Sequence, residues 1–213
     1  MTHTLHRRGV KGNLGEDAIV FAMSAKGFNE EESAPRMRRF LEIILRHDPV
    51  NFGDMKTGNR FAKTVDEILR GVQNTSIVHG VFTDWGKVPR ILEEIKEADL
   101  GMSVVVTGLF DEVEKCCRAS ELSRHTIEHS LGVMGRMELL PEDDIVEITT
   151  MCGHGMVPAN LVRAMVMKIK QQEITPEAAG IELAKPCHCG VFNNQRAGRL
   201  LRRLVATFCV DQR

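Results

Sequence analysis

Apolar residues in the first part of the chain alternate between short runs and helical stripes. The apolar run within residues 17–23 has the length and the β-branched content of a buried strand. Ser33 then has the character of a helix N-cap, and Pro35 suits the first turn that follows. The apolar positions after it recur every three or four residues: Met37, Phe40, Leu41, Ile44 and Leu45. This pattern predicts a strand followed by a helix.

The same alternation continues to residue 133. A second helical stripe covers residues 60–72, after a glycine-bounded loop at 53–59. The elements predicted next are a strand at 77–83, a helix at 88–98, a strand at 102–109, a helix at 111–120 and a strand at 126–133. Such alternation favours βαβ units. An open doubly wound sheet and a ferredoxin-like sandwich both satisfy it, and the short elements favour the α/β class with a ferredoxin-like or related α+β sandwich.

The pattern changes near residue 138. Pro141 and the three acidic residues after it are typical of a helix start, because proline and carboxylates are favoured in a first turn. From there only helices are predicted, at 143–150, 158–171, 176–184 and 194–208. We therefore expect two domains: an α/β sandwich with an N-terminal basic arm at residues 1–138, and a small all-helical, Cys/His metal-binding domain at residues 139–213.

Composition narrows the functional classes. The 213 residues include 28 Lys and Arg against 29 Asp and Glu, so no overall field attracts nucleic acid or an anionic membrane. The longest apolar stretch, near residues 103–110, is far shorter than a membrane span, and the polar N-terminus lacks a secretory signal. We expect a cytoplasmic protein. In that reducing compartment, six cysteines indicate metal binding, catalysis or buried thiols rather than disulfides.

Two short sequences in the C-terminal third resemble each other. The first runs Cys-Gly-His-Gly-Met-Val from Cys152, and the second runs Cys-His-Cys-Gly-Val-Phe from Cys187. Each is followed by a predicted helix. Paired by position, they supply Cys152 and His154 from one turn and Cys187 and Cys189 from the other. Three thiolates and an imidazole suit tetrahedral zinc, and they equally suit an iron–sulfur cluster.

Other interpretations of these cysteines remain open. They are also explained as buried thiols near helix starts, since free cysteine is among the most buried residue types. A third interpretation is a metal-free thiolate pair, because helix N-termini lower thiol pKa values. His188 is a candidate for a supporting or exchangeable ligand. The remaining cysteines, for which we expect places in the core, are Cys116, Cys117 and Cys209.

Histidines and basic residues provide secondary candidates. If the strands at 77–83 and 126–133 pair, His79 and His129 converge on one pocket and can serve as catalytic acid–base groups; a hydrogen-bonded core histidine is the plainer explanation for each. Lys56, in the loop before a helix, is a candidate for binding a cofactor phosphate or carboxylate. Arg7 and Arg8 in the basic arm are candidates for the same role, although a surface loop and a solvated arm explain all three.

These observations lead to three hypotheses of function. The first is a metal-binding protein, iron–sulfur or zinc, acting in redox chemistry or on a small anionic metabolite. The second is a regulatory or assembly module with a structural zinc site, which four protein ligands would favour. The third is a metal-free thiol enzyme with Cys187 or Cys189 as nucleophile and a histidine as base. Few aromatic side chains are present, which disfavours nucleic-acid binding, and a homodimer is the default oligomer.

Overall fold

A five-stranded antiparallel sheet forms the centre of the protein. The computed structural model describes residues 4–210 and the side chains of residues 4–207. The strands are β1 (Ala18–Met23), β2 (Asn51–Asp54), β3 (Gly58–Asn59), β4 (Ile77–Phe82) and β5 (Ser103–Thr107). Their order across the sheet is β3-β2-β4-β1-β5, and every neighbouring pair is antiparallel. The predicted mixed α/β class is confirmed.

Nine α-helices accompany the sheet within residues 4–210. Those in the first part of the chain are α1 (Lys11–Leu14), α2 (Ser33–Arg46), α3 (Val65–Gly71), α4 (Val88–Ala98) and α5 (Phe110–Ala119). Those in the last third are α6 (Asp143–Thr149), α7 (Ala159–Lys170), α8 (Pro176–Ala184) and α9 (Asn194–Val210). The helix predicted at 60–72 begins five residues late, because Thr64 caps α3 through a reciprocal capping box with Glu67.

Strand β1 is apolar throughout because both of its faces are covered. Ala18, Val20 and Ala22 join one hydrophobic cluster, to which α2 and α4 contribute. Ile19 and Phe21 point the other way and join a second cluster, to which α6, α7, α8 and α9 contribute. Side chains alternate across a strand, so a strand between two helical layers needs apolar residues at every position. The sheet is therefore the middle layer of three.

The connections explain why the alternation of strands and helices does not produce a parallel sheet. Strands β1 and β2, joined through α2, both pair antiparallel with β4, which lies between them. Strands β4 and β5, joined through α4, likewise lie on either side of β1. Each crossover thus skips one strand. The open doubly wound sheet that the sequence left possible is wrong.

Two further predicted elements differ from the structure. The strand predicted at 126–133 is wrong, since residues 121–136, all described, contain neither helix nor strand. Ile127 and Leu131 are 54% and 82% exposed, so their alternation buries no apolar face that would stabilise a strand. The loop predicted at 53–59 is instead the β2–β3 hairpin, whose strand residues are buried.

The C-terminal helices do not stand apart from the sheet. Their hydrophobic cluster includes Ile19, Phe21 and Val81 of the sheet. The boundary near residue 138 stays a prediction, and the packed core is continuous across it. None of the helices in the described range has the length and apolar character to cross a membrane.

Candidate metal centre at two cysteine turns

The two similar sequences form turns with the same backbone geometry. Residues 152–155 lie in the connection from α6 to α7, and residues 187–190 lie in the connection from α8 to α9. In each turn the first cysteine amide donates to the carbonyl three residues earlier, at 3.2 and 3.1 Å, and the glycine amide donates to the cysteine carbonyl, at 3.2 and 3.1 Å. Gly155 and Gly190 have φ values of +68° and +80°, which glycine adopts without strain. The sequence repeat is thus also a repeat of structure.

Three thiols meet between the turns. Cys152, Cys187 and Cys189 are 2%, 0% and 1% exposed and belong to one hydrophobic cluster. The Cys187 thiol is the hydrogen-bond partner of the other two sulfurs. His154 is exposed at the edge of this group, and its Nδ1 lies 3.6 Å from Sγ of Cys189. The four candidate ligands therefore lie together.

Hydrogen bonding divides the three thiols into two acidic groups and one donor. The bond from Cys187 is the main cause that lowers the pKa of Cys152 to about 6 and that of Cys189 to about 7, against the opposing effect of burial. Backbone N–H groups of His154 and Met156 lower the pKa of Cys152 further. The pKa of Cys187 is raised well above its usual value by the same two bonds and by burial. The site favours thiolate at two of its three sulfurs.

The side chains are adjacent but do not yet enclose an ion. Across residues 4–210, no group of three or more His, Cys, Asp or Glu side chains has a spacing that would hold a metal. The described cysteines are free thiols, with no disulfide among them. Closing the group around an ion would require side-chain movement. The exposed residues 153–156 have open space beside Gly155, so this is the part with room to move.

The second turn is fixed to the β2–β3 hairpin by a buried asparagine. Asn59 is 0% exposed, and its side-chain nitrogen donates to the carbonyls of Ala184, Lys185 and Cys187 at 3.4, 3.1 and 2.8 Å. Its side-chain oxygen accepts from the amide of Phe61 at 2.8 Å. These bonds satisfy carbonyls at the end of α8 that the helix itself leaves open. Asn59 thereby sets the position of the turn that carries Cys187 and Cys189.

Close backbone contact reinforces this attachment. A Cβ atom placed on Gly190 would lie 2.5 Å from the carbonyl carbon of Phe52 and 2.6 Å from the amide nitrogen of Gly53. A Cβ on Gly53 would in turn lie 2.9 Å from the carbonyl oxygen of Cys189. Only glycine allows the two backbones to approach so closely. By contrast, a Cβ on Gly155 would meet nothing within 4 Å.

The arm before β1 also reaches the second turn. The side chain of Arg7 is only 6% exposed; it donates to Asp17 at 2.8 Å and to the carbonyl of Val191. Asp17 also accepts from the buried Arg196 at 3.1 Å. Arg7 is therefore engaged by internal partners, while Arg8 is partly exposed and pairs with the exposed Asp143 at 3.4 Å.

The other predicted site residues lie elsewhere. Lys56 is exposed at the tip of the β2–β3 hairpin, where its carbonyl oxygen is 3.5 Å from Nε2 of the exposed His188. The cofactor-binding role of Lys56, Arg7 and Arg8 stays a prediction. Cys116 is 3% exposed, and burial raises its pKa to about 11.

The two histidines proposed for catalysis are not brought together by strand pairing. His79 is fully buried on β4, with its ring centroid 5.3 Å from that of Phe21. His129 is exposed and meets the ring of Phe110 edge-on, at 6.4 Å between centroids. Their predicted convergence required a strand at 126–133, which does not form. A catalytic role for either stays a prediction. Cys209 lies outside the described side chains.

An open cleft of about 320 Å³ adjoins the thiol group. Cys152 lies in its wall, together with His6, Thr150 and Val157. The cleft is therefore open to solvent beside Cys152, although that residue is only 2% exposed.

Sequence reasoning missed the residues that hold the site in place. Asn59 lies in a segment predicted to be a loop, and Asp17 and Arg196 were not singled out. Their importance follows from burial and from partners more than 100 residues away. A single sequence carries no local signal for such contacts.

The chain matches no protein-family model, no curated protein sequence and no solved structure.

Proposed function

We propose that this protein binds a single tetrahedral metal ion, zinc foremost, through Cys152, His154, Cys187 and Cys189. The observation that carries the proposal is the 3.6 Å separation of the Cys189 sulfur from Nδ1 of His154. With Zn–S of about 2.3 Å and Zn–N of about 2.0 Å, two ligands at the tetrahedral angle are about 3.5 to 3.6 Å apart. This pair is already at the separation that zinc requires.

The direct contact among the thiols favours one ion over a cluster. Cys187 is within hydrogen-bonding reach of both other sulfurs. An iron–sulfur cluster places several iron and sulfide atoms between its cysteine ligands, whereas adjacent thiols leave space for one ion. Iron–sulfur binding is the alternative, and the metal analysis described below distinguishes it from zinc binding.

A structural role is the function that this ligand set supports best. Four protein ligands without an open position are typical of structural zinc sites. The ion would join the α6–α7 turn to the α8–α9 turn, and Asn59 joins the latter to the sheet. The protein would then be a regulatory or assembly module whose helical layer depends on zinc. A metal-dependent enzyme is the second candidate, and the cleft at Cys152 is the observation in its favour.

The fold and setting that we propose agree with this function. The order β2-β4-β1-β5, with two crossovers that each skip one strand, supports a ferredoxin-like sandwich extended by β3 and by helices on the second face. Free thiols in all described cysteines support a reducing compartment such as the cytoplasm. A homo-oligomer and a small-molecule ligand remain parts of the proposal.

Metal analysis of the untagged protein, purified without oxygen, tests the proposal. We expect one zinc per chain, no acid-labile sulfide and no visible colour. Cys187→Ser should lose the metal, whereas Cys117→Ser, which alters a cysteine on α5 outside the group, should retain it. If the protein contains iron and acid-labile sulfide, and both are lost in Cys187→Ser, the site holds an iron–sulfur cluster and not zinc. Absence of any metal, or equal retention in both variants, would refute the site.

A further inference from the structure

Strand β5 is an uncovered edge of the sheet. It pairs with β1 on one side, and across residues 4–210 no other backbone group hydrogen-bonds to it. In an antiparallel strand successive residues direct their N–H and C=O groups to opposite sides, so part of the β5 backbone points outward without a strand to meet it. The strand also lacks the proline or charged residues that commonly protect an exposed edge. Its outer side is therefore able to pair with another strand.

The opposite edge of the sheet is closed. Strand β3 has only two residues, and the side chain of Asn59 in it bonds to the carbonyls of Lys185 and Cys187. The turn at residues 187–190 also contacts β2 so closely that Gly53 has no room for a Cβ. A strand from another molecule thus meets one open edge. Pairing of β5 with β5 closes after two copies, whereas pairing of unlike edges would continue without end.

The sequence of β5 complements itself. With a twofold axis at Val105, that residue faces its own copy, Val104 faces Val106, and Ser103 faces Thr107. Valine pairs suit adjacent antiparallel strands, serine and threonine hydrogen-bond across them, and no like charges meet. All five residues are only partly buried, so their side chains still have surface with which to contact a neighbour. The strand that fits this edge best is thus a second copy of β5.

An exposed apolar segment adjoins the end of β5. Within residues 127–140, seven large apolar side chains are at least 43% exposed, and Leu131 reaches 82%. The segment lies beside β5 because His129 meets the ring of Phe110, three residues after the strand, at 6.4 Å between centroids. Extended apolar patches on a protein surface mark interaction sites. The open backbone edge and the exposed apolar side chains therefore belong to one surface.

We propose that β5 pairs antiparallel with β5 of a second copy about a twofold axis at Val105, joining two five-stranded sheets into one. The segments at residues 127–140 pack alongside. The inference rests on the homo-oligomer in the proposed function and gives it an interface, but it does not depend on the metal. A stable dimer buries about 800 Å² on each partner. Five paired residues supply only part of that area, and the apolar segment supplies the rest.

A disulfide across the axis tests the register. In the dimer the two copies of residue 105 are directly opposite, with Cα atoms about 4.5 to 5.5 Å apart, which a disulfide spans. Val105→Cys should therefore form an interchain disulfide when the full-length protein is oxidised with diamide, and peptide mass spectrometry should place the bond between the two introduced thiols. Ser103→Cys is the matched control. The two copies of residue 103 are about 13 Å apart, so this variant should not cross-link.

Sedimentation velocity tests the dimer and the apolar segment. Over roughly 1 to 100 µM, the full-length protein should sediment as a dimer of 23.8 kDa chains. Met134 is 79% exposed, so Met134→Glu should preserve the fold while raising the dimer Kd at least about tenfold. Met55→Glu is the same change at the tip of the β2–β3 hairpin, on the other edge of the sheet, and it should leave the Kd unchanged.

The outcomes separate this inference from the metal site. A monomer throughout the concentration range, equal dissociation by the two glutamate variants, or equal cross-linking of the two cysteine variants overturns the dimer interface. The metal content of each sample is measured as well. A monomer that contains metal overturns this inference alone, and a dimer without metal overturns the metal site alone. A monomer without metal overturns both.

Discussion

Substitution of Asn59 tests whether the hairpin positions the second cysteine turn. Asn59→Ala removes the hydrogen bonds to Lys185 and Cys187 and leaves the amide of Phe61 without its acceptor. Each lost bond costs about 1 kcal/mol, and the small cavity adds roughly another, so we expect a loss of about 3 to 4 kcal/mol. For a chain of this length, that lowers Tm by roughly 10 °C.

Asn59→Asp is the sharper variant because it preserves the shape. Its oxygen can still accept from the Phe61 amide, but the donating nitrogen becomes a carboxylate oxygen that faces three carbonyl oxygens. A buried charge without a donor costs more than a missing bond. We therefore expect Asn59→Asp to be less stable than Asn59→Ala at neutral pH, by at least about 1 kcal/mol.

Urea unfolding of the metal-free protein, followed by circular dichroism, measures both changes. Asn160→Ala is the control. Asn160 is exposed and its Oδ1 accepts a hydrogen bond from the exposed Arg163 at 3.0 Å, so the change should stay within about 0.5 kcal/mol. An Asn59→Asp protein as stable as wild type would show that the side-chain amide does not point its nitrogen at the α8 carbonyls. The assigned orientation, and the positioning role with it, would then be refuted.

Three further predictions concern other parts of the molecule. Gly190→Ala should cost roughly 2 to 4 kcal/mol, because its Cβ meets the Phe52 backbone, whereas Gly155→Ala should cost only about 1 kcal/mol of left-handed strain; urea unfolding compares them. Cys116 should resist iodoacetamide in the native protein at pH 8, because burial raises its pKa to about 11, and peptide mass spectrometry after alkylation reports this. Asp17→Asn should cost about 3 to 5 kcal/mol, because it leaves two buried guanidinium groups without their carboxylate; an unchanged urea midpoint would contradict this.

Local sequence patterns predicted the helices and strands whose formation depends mainly on their own residues. The apolar stripe after Ser33 predicted α2, which begins at Ser33. The prediction of Ser33 as the N-cap is wrong: Glu32 holds that position, and the Ser33 hydroxyl instead donates to the carbonyl of Asn74 at 2.7 Å. The helix predicted at 88–98 matches α4. Both helices have one apolar face that packs on the sheet, so the periodicity of their apolar residues reflects the burial of that face.

Patterns failed where burial depends on distant parts of the chain. The alternation at residues 126–133 has the period of a strand, yet Leu131 is exposed and the segment does not form a strand. The hairpin at residues 51–59 was missed for the opposite reason: its glycines and polar residues look like a loop. Asn51 and Asn59 are buried there because the loop after α8 supplies carbonyls for their side chains, which no local period encodes.

The candidate site shows the same division within one sequence repeat. Cys-x-(His or Cys)-Gly fixes the local backbone, and the two turns accordingly share their hydrogen bonds and left-handed glycines. Their surroundings differ because one turn faces the cleft and the other faces the hairpin. A symmetric repeat in the sequence therefore becomes an asymmetric site, with an anchored pair of sulfurs and an accessible histidine.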